Sequence, residues 1–590
     1  MGIWRAPRRG RRCVRALLAG GTIAAVSASV GLFGTTAAMA VPAATAAPNA
    51  SAAMCAALTG LPLPDLPGSD TATVTANQVA GSGCQVAIEV TDTSDPRGGQ
   101  PGLIGIDLTL PDSWNGSYMA EGNGVYCSPA SFVTLKSDQW LAAGYAISQD
   151  DCGHTGIPSP PNPLISPWVT NPNPPPALNW NRIDDFGYLA QHLTAVESKV
   201  VIDAYYGARA HYSFWNGCST GGRQGLMEAQ RYPADFNGIL AGAPALNWDQ
   251  FMVAQMWPQL AMEWNNDFLP TCIQTLVNTA LQSQCRDQDG RVDGVFDPRT
   301  CNVLAVLHRL IGTATPCGTF TATDALVVQE IWQGPRFSGS QQNLLTGLPV
   351  WFGLEPGANL AGVYVPALGP GGGLGLATTH QLTSGQWAGA PFIPSADWFV
   401  RWIKQDPAWV FTDETYQQYW QDFARSGRMF DPEIAASNPD LQAFKADGGK
   451  LIMWQGLADQ LIFTGDSINY YNHALAANGG IRDTESFFRD FLAPGVAHCG
   501  TPGAGSIAPT NPMQQVINWV EHDRAPAVLD ASGTVNGQPV TRPLCPYPDR
   551  DAIYTGGNPD VAASYTCSSR PQFTNPFLLN GQHAGPGGEA

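Results

Sequence analysis

An α/β fold built on a largely parallel sheet is predicted by three features of this 590-residue chain. Short apolar runs with strand-like alternation take turns with segments of helical periodicity, the pattern of strands joined by crossover helices. A G-x-S-x-G sequence, Gly217 to Gly221, falls between one such strand and one such helix. The alternation stops after residue 245 and resumes at residue 450, which predicts a large insertion within a single domain.

The elements follow in order. QVAIEV (85–90), LIGIDLTL (103–110) and GYAISQD (144–150) are strand-like, and YMAEGNGVYC (118–127) is an apolar entry into a glycine-rich turn. Residues 183–206 carry helical periodicity. HYSFWNG (211–217) is a strand, GGRQGLMEAQRYP a helix ending before Pro233, and NGILAGAPA (237–245) a strand again. From 246 to 448 the chain is rich in Trp, Gly, Pro and Asn, with weak periodicity. KLIMWQG (450–456) restores the buried-strand pattern, TGDSINYYNHALAAN is a helix, and TESFFRDFLAPG is a strand. The expected organisation is a core in two parts, 51–245 and 449–575, interrupted by a lid over 246–448, with a mobile tail at 576–590.

The N-terminus is read as a targeting segment. Arg5, Arg8, Arg9, Arg11, Arg12 and Arg15 precede an apolar run. Small residues follow, with a cleavage site at Ala38-Met39-Ala40 or as late as Ala46. Residues 1–40 are therefore expected to be a signal peptide and the mature protein to be secreted. Of 30 basic residues, six leave with it, so 24 face 48 acidic ones and the net charge becomes −24. That surface excludes nucleic acid and anionic lipid as partners. Of 13 cysteines, Cys13 also leaves, and an even twelve in an exported chain predict six disulfides. No C-x-x-C pair supports a zinc site.

Strand, G-x-S-x-G and helix together form the setting of a nucleophile elbow, with Ser219 on a tight turn and the helix N-terminus facing an oxyanion. A glycine-rich turn with a capping serine is the plainer alternative. An acid and then a histidine are needed, each after a later strand. Asp459 follows KLIMWQG, with Asp466 its local competitor, and His498 follows FFRDFLAPG. His154 precedes the serine and breaks that order. Cys218 precedes Ser219, and Cys499 follows His498. A bridge between them would tie the serine's turn to the histidine's loop, the alternative being that each pairs elsewhere.

With these residues in view, the chain resembles the tannase/feruloyl esterase family, whose C-S…D…H-C arrangement is matched by Cys218-Ser219, Asp459 and His498-Cys499. The resemblance runs from about Cys55 to Cys567 and implies an α/β-hydrolase fold with a large inserted lid domain. WNGSYMAEGNG (114–124) is similar to the family's oxyanion turn, although the family turn is more glycine-rich and Glu121, Asn123 and Val125 intrude here. The implied donors are the amide of Thr220 and one from Gly122, Asn123 or Gly124. The family's lid carries a calcium loop, matched by CRDQDGRVDGVFDPRTC (285–301). Asp289, Asp293 and Asp297 have the spacing of an oxygen-rich turn. The implied Ca2+ ligands are Asp289, Asp293 and the carbonyls of Arg291 and Val295. Asp287 is a substitute where the family has an acid and this chain has Arg286. Cys285–Cys301 would clamp the loop and Cys545–Cys567 matches the family's C-terminal bridge. Cys55–Cys84, Cys127–Cys152 and Cys272–Cys317 remain, the first two open to crossing.

The function implied is a secreted serine carboxylesterase on small aromatic esters, of feruloyl or galloyl type, acting through an acyl-enzyme with structural calcium and no organic cofactor. A mono(hydroxyethyl) terephthalate-type hydrolase is the alternative within the family, with Arg401 available for an acidic substrate. A non-catalytic, calcium-stabilised binding protein is the alternative of another class, and a serine peptidase a third reading. Trp248, Trp257, Trp264, Trp351, Trp387, Trp398 and Trp402 offer material for an aromatic pocket or for the lid's own core. The oligomeric state is not legible.

Overall fold

Burial alternates residue by residue along Gly83–Asp92 and Gly102–Leu110, as two faces of one sheet require. The structure is a computed structural model. It describes residues 52–64, 67, 70–79, 81–127, 137–154, 164–171, 177–285, 295, 297–339, 344–360, 375–500, 507–535 and 537–569. The expected signal peptide, the expected tail, and the expected ligands Asp287, Asp289, Arg291 and Asp293 lie outside these residues.

Ten strands form the main sheet: β1 (Thr71–Val79), β2 (Gly83–Asp92), β3 (Gly102–Leu110), β4 (Ser117–Glu121), β5 (Ala146–Asp150), β6 (Tyr212–Cys218), β7 (Gly238–Gly242), β8 (Lys450–Gly456), β9 (Phe488–Ala493) and β10 (Pro546–Tyr547). Their order is β1-β2-β3-β5-β4-β6-β7-β8-β9-β10. The strands from β5 to β9 in that order pair in parallel. β1, β2 and β3 form an antiparallel edge on β5, and β10 closes the other edge antiparallel. The sheet is therefore mixed where the sequence predicts a largely parallel one. Three-residue and longer tight connections at the start of the chain leave no room for crossover helices, so those strands turn back on themselves.

Neighbouring residues of the central strands go to opposite faces. Trp215, Ile239, Leu451 and Met453 join the core on one face, together with the helix Ala190–Tyr206. Phe214, Leu240, Ile452 and Trp454 join the other, together with the helix Pro512–His522. Both faces of these strands are covered, which is why KLIMWQG and NGILAG read as continuous apolar runs. The helix expected over 183–206 is present but begins at Trp180 and passes through a wider π-type turn at Asp185–Leu189.

β7 and β8 are neighbours in the sheet although residues 243–449 separate them. That stretch carries the helices Trp248–Ala254, Trp257–Trp264, Thr271–Gln284, Ala322–Gln333 and Tyr416–Ile434. They enclose a core in which Trp257, Trp332, Trp398 and Trp402 are buried, together with Tyr126, Trp168, Phe186 and Ile462 from outside the stretch. Some of these helices keep a clear buried face, as Tyr416, Tyr419, Phe423, Phe430 and Ile434 do along Tyr416–Ile434, but they are separated by long irregular connections rather than by alternating strands.

The six disulfides are Cys55–Cys84, Cys127–Cys152, Cys218–Cys499, Cys272–Cys317, Cys285–Cys301 and Cys545–Cys567. No described helix is long and apolar enough to cross a membrane.

Candidate active site

Ser219 stands between the end of β6 and the helix Thr220–Arg231 with φ 63° and ψ −123°. A residue with a Cβ pays on the order of 1–3 kcal/mol for such a conformation and keeps it only when its surroundings impose it. Here Ser219 N donates to Gly242 O at 3.0 Å, and Ser219 O accepts from Arg223 N at 3.0 Å and Ala245 N at 3.1 Å. Gly217 allows the turn to close, since a Cβ there would lie 2.2 Å from Gly221 O. The turn thus presents the hydroxyl at a helix N-terminus, where the backbone dipoles favour negative charge.

Asp459 lies in the loop after β8 and is buried. Its Oδ1 accepts from the amides of Leu461 and Ile462, both at 2.9 Å, and its Oδ2 accepts from Gln455 Nε2 at 3.0 Å. The same Oδ2 is 2.9 Å from His498 Nδ1. The histidine's own amide donates to Gln460 Oε1 at 3.1 Å. Gln455 and Gln460 were not singled out from the sequence, although both flank Asp459 in WQGLADQ. Asp466, the competing acid, is held by Asn247 Nδ2 at 2.8 Å, and burial pushes its carboxyl up to about 8. His154 is buried on Trp168, ring centroids 4.2 Å apart, and burial pushes it down to about 3.

Cys218 and Cys499 join the two loops through a bridge spanning 281 positions, with their Cα atoms 5.9 Å apart. Ser219, His498 and Cys499 line one cavity. A hydroxyl and an imidazole thus open on one cavity, and the imidazole is bonded to a buried carboxylate.

The turn after β4 packs on the helix after Ser219, and a Cβ on Gly122 would lie 2.5 Å from Gly221 Cα. Two of the expected oxyanion donors are engaged elsewhere. Gly122 N donates to Asn216 O at 3.0 Å, and Asn123 N donates to Gln224 Oε1 at 2.9 Å. Each amide carries one hydrogen, so neither is available to a ligand. Gly124 and Thr220 line the cavity beside Ser219.

The rest of the wall is mostly apolar, with Val125, Trp248, Phe251, Met252, Phe392 and Ile462 joined by the amides Gln255 and Gln460. Trp248, Phe251, Met252 and Gln255 recur at helical spacing, and this stripe in WDQFMVAQ was the available sequence signal. Gln255 is buried, and its Nε2 donates to Leu461 O at 2.9 Å. Its Oε1 has no hydrogen-bond partner among the described residues. Of the seven tryptophans, Trp248 reaches the cavity; Trp257, Trp351, Trp398 and Trp402 belong to the lid core, Trp264 packs against it, and Trp387 is half-buried in the short strand Trp387–Gly389, outside the lining. Arg401 is not part of the lining and pairs with Asp397 at 2.9 Å.

Of the expected calcium ligands only Val295 is described, and it is buried. Asp297 is engaged by Arg299, whose amide donates to Oδ1 at 2.9 Å and whose Nη2 reaches Oδ2 at 2.8 Å. Among the described residues one acid and histidine grouping has ligand-like proximity: His192, Glu228 and Asp235. His192 Nδ1 lies 2.6 Å from Asp235, and Lys199 Nζ lies 3.9 Å from the same carboxylate, so a cation is already in place there.

The chain is similar to known proteins along most of its length. Residues 84–568 match the family model described as tannase and feruloyl esterase. A probable feruloyl esterase of Arthroderma benhamiae is 33% identical over 474 residues, covering 79% of this chain and 82% of that protein. Feruloyl esterase B of Aspergillus niger is 28% identical over 483 residues, covering 78% and 82%. Among solved structures, feruloyl esterase B from Aspergillus oryzae superposes with a TM-score of 0.67 at 23% identity, covering 88% of this chain and 99% of that one. A tannin acyl hydrolase from Aspergillus niger gives 0.72 at 19% identity, covering 91% and 97%. These last two speak to the fold alone.

Proposed function

Because the chain belongs to the tannase and feruloyl esterase family and is a carboxylic ester hydrolase, we propose that it is a secreted serine esterase releasing phenolic acids of the feruloyl type. The observation that carries this reading is the apolar cavity on which Ser219 and His498 open together, with Asp459 bonded to the far side of the imidazole at 2.9 Å.

In this reading Ser219 Oγ attacks the ester carbonyl while His498 Nε2 takes the hydroxyl proton. Asp459 Oδ2 holds the proton on Nδ1, which leaves Nε2, 3.6 Å from Cys499 Sγ, unprotonated and able to act as the base, and stabilises the imidazolium. The amides of Thr220 and Gly124, residues that line the same cavity, are assigned to the carbonyl oxygen as it becomes negative. The alcohol leaves with the proton from Nε2, and the acyl group remains on Ser219. Water, deprotonated by the same nitrogen, then frees the acid.

The wall supports a feruloyl rather than a galloyl acyl group. Three adjacent ring hydroxyls need several polar partners, and burying them unpaired costs about 1–3 kcal/mol each. A hydroxycinnamoyl group presents more apolar surface to Trp248, Phe251, Met252 and Phe392. Among the described residues no lysine or arginine lines the cavity, and the described wall is more suited to an uncharged acyl group than to a terephthalate monoester's free carboxylate. Secretion is supported by the arginine-led apolar N-terminus and by six disulfides, which persist in oxidising compartments. A structural Ca2+ in the loop 285–301 is part of the same reading, supported by its acidic spacing and the clamping bridge.

The test is hydrolysis of methyl ferulate, methyl gallate, mono(hydroxyethyl) terephthalate and a short p-nitrophenyl ester by the signal-free enzyme, with Ser219→Ala alongside. Methyl ferulate should turn over fastest and the variant should be inactive. A folded protein that cleaves none of these, and whose Ser219 resists a fluorophosphonate, would be a binding protein instead.

A further inference from the structure

Asn123 has every polar group occupied. Its amide donates to Gln224 Oε1 at 2.9 Å, and its carbonyl accepts from Gly221 N at 2.8 Å. Its side-chain oxygen accepts from Gln149 Nε2 at 3.3 Å. The two hydrogens of its Nδ2 go to Asp150 Oδ1 at 3.1 Å and Cys152 Sγ at 3.3 Å. Asn123 precedes Gly124, whose amide is the remaining donor of its turn in the proposed oxyanion site. A residue held at five points just before that amide fixes where it points.

The partners come from separate elements. Asp150 ends β5, Gln224 belongs to the helix after Ser219, and Cys152 is bridged to Cys127 beyond the turn. Asp150 is the charged or chargeable member. It is buried, and its Oδ1 also accepts from Cys152 N at 2.9 Å. Its Oδ2 lies 3.3 Å from Thr194 Oγ1, which is 2.7 Å from Ala190 O. The Thr194 hydroxyl is the donor in both contacts. Burial pushes Asp150 up to about 7, while the bonds it accepts from Cys152, Thr194 and Asn123 act the other way.

We propose that Asp150 is a positioning residue for the ester-hydrolysing site, holding the Gly122–Gly124 turn through Asn123 so that the Gly124 amide meets the developing oxyanion. The inference rests on the reading of Ser219 as the nucleophile. A misplaced donor weakens the transition state and leaves the planar ester nearly as well bound. Losing one oxyanion donor costs roughly 100- to 1000-fold in kcat, and a displaced one should cost less, on the order of 10- to 100-fold.

The test compares Asp150→Ala, Asp150→Asn and Asn123→Ala for methyl ferulate turnover, for inhibition by an arylboronic acid, which forms a tetrahedral adduct on serine, and for inhibition by ferulic acid, which is planar. Asp150→Ala should lower kcat and weaken boronate inhibition by about 10- to 100-fold, with KM and ferulic acid inhibition within about twofold. Asp150→Asn keeps the Oδ1 acceptor, so it should retain activity within about threefold. Asn123→Ala should match Asp150→Ala, and the double variant should lose no more than either single one, because both act through one turn. If Asp150→Ala does not fold, Asn123→Ala carries the same readout. Unchanged kcat and boronate inhibition in a folded variant, or equal loss of planar and tetrahedral ligands, overturns the proposal. Failure of the underlying reading looks different: the unsubstituted enzyme would show no turnover that depends on Ser219.

Discussion

His498 Nδ1 lies 2.9 Å from Asp459 Oδ2, and that carboxylate accepts three further N–H bonds, from Gln455, Leu461 and Ile462. A carboxylate fixed by so many donors leaves the imidazole one tautomer and one orientation. Asp459→Asn should therefore lower kcat by about 10³- to 10⁴-fold with little change in KM, since the amide can present a hydrogen to Nδ1 and reverse the tautomer. Steady-state kinetics on methyl ferulate checks this. A loss below tenfold would remove Asp459 from the role.

Replacing Cys218 and Cys499 together by alanine frees a loop of 281 positions. Chain entropy makes the bridge worth about 5 kcal/mol against the unfolded state. The double variant should unfold at clearly lower denaturant concentration. It should also lose kcat at temperatures where it is still folded, because the serine's turn and the histidine's loop are no longer tied. Retention of full kcat would limit the bridge to stability.

Gln255 offers an unpaired acceptor on an apolar wall, while its Nε2 is fixed on Leu461 O at 2.9 Å. A phenolic hydroxyl supplies the missing donor. Methyl ferulate should be preferred over its 4-O-methyl analogue, and Gln255→Leu should erase that preference, a change of about 1–1.5 kcal/mol or roughly tenfold in relative kcat/KM. An unaltered ratio would place the phenol elsewhere.

Calcium removal tests the loop 285–301. Chelation should lower Tm by several degrees, and restored Ca2+ should recover it, since an ion bound only by the native fold stabilises it by mass action. Ser219 should still react with a fluorophosphonate below the new Tm. A melting curve indifferent to chelator would remove the ion.

Buried acids set the pH dependence of stability. Burial raises Asp466 to about 8, Glu355 to about 8 and Asp150 to about 7. A raised folded-state value means that folding favours the protonated form. The contribution is full below the unfolded values near 4 and is lost as pH rises through 7 to 8. His154, lowered to about 3 by burial, acts the other way, its contribution being lost as pH falls below about 6.5. Tm should be higher near pH 5.5 than at pH 8.5, and calorimetry across that range checks the sign.

The sequence carried the central strands and the serine, acid and histidine plainly, because each sits at the end of an apolar run that only a doubly covered strand produces. The β1 strand was missed: TATVTANQV is exposed along much of its length and lacks a clear apolar face. The lid helices were missed because they sit among long irregular connections, although Tyr416–Ile434 keeps a one-sided buried stripe of Tyr419, Phe423, Phe430 and Ile434. Two of them announce themselves in the sequence by capping boxes, Thr321 with Asp324 and Thr415 with Gln418. The oxyanion turn was legible only as a region. Which amide is engaged depends on Gln224 and Asn216, and no local pattern places those beside Gly122 and Asn123.

The adjacency of β7 and β8 across residues 243–449 has a consequence for how such chains diversify. Two ends already registered side by side in a sheet define fixed docking points. The entropy of closing the excursion between them grows only logarithmically, about 0.6 kcal/mol for each doubling of its length. The excursion is therefore an exchangeable cassette. Transplanting a relative's segment between Gly242 and Lys450 should preserve the strand order and the Ser219, Asp459 and His498 positions, while bringing in a new wall where Trp248, Phe251 and Met252 now stand.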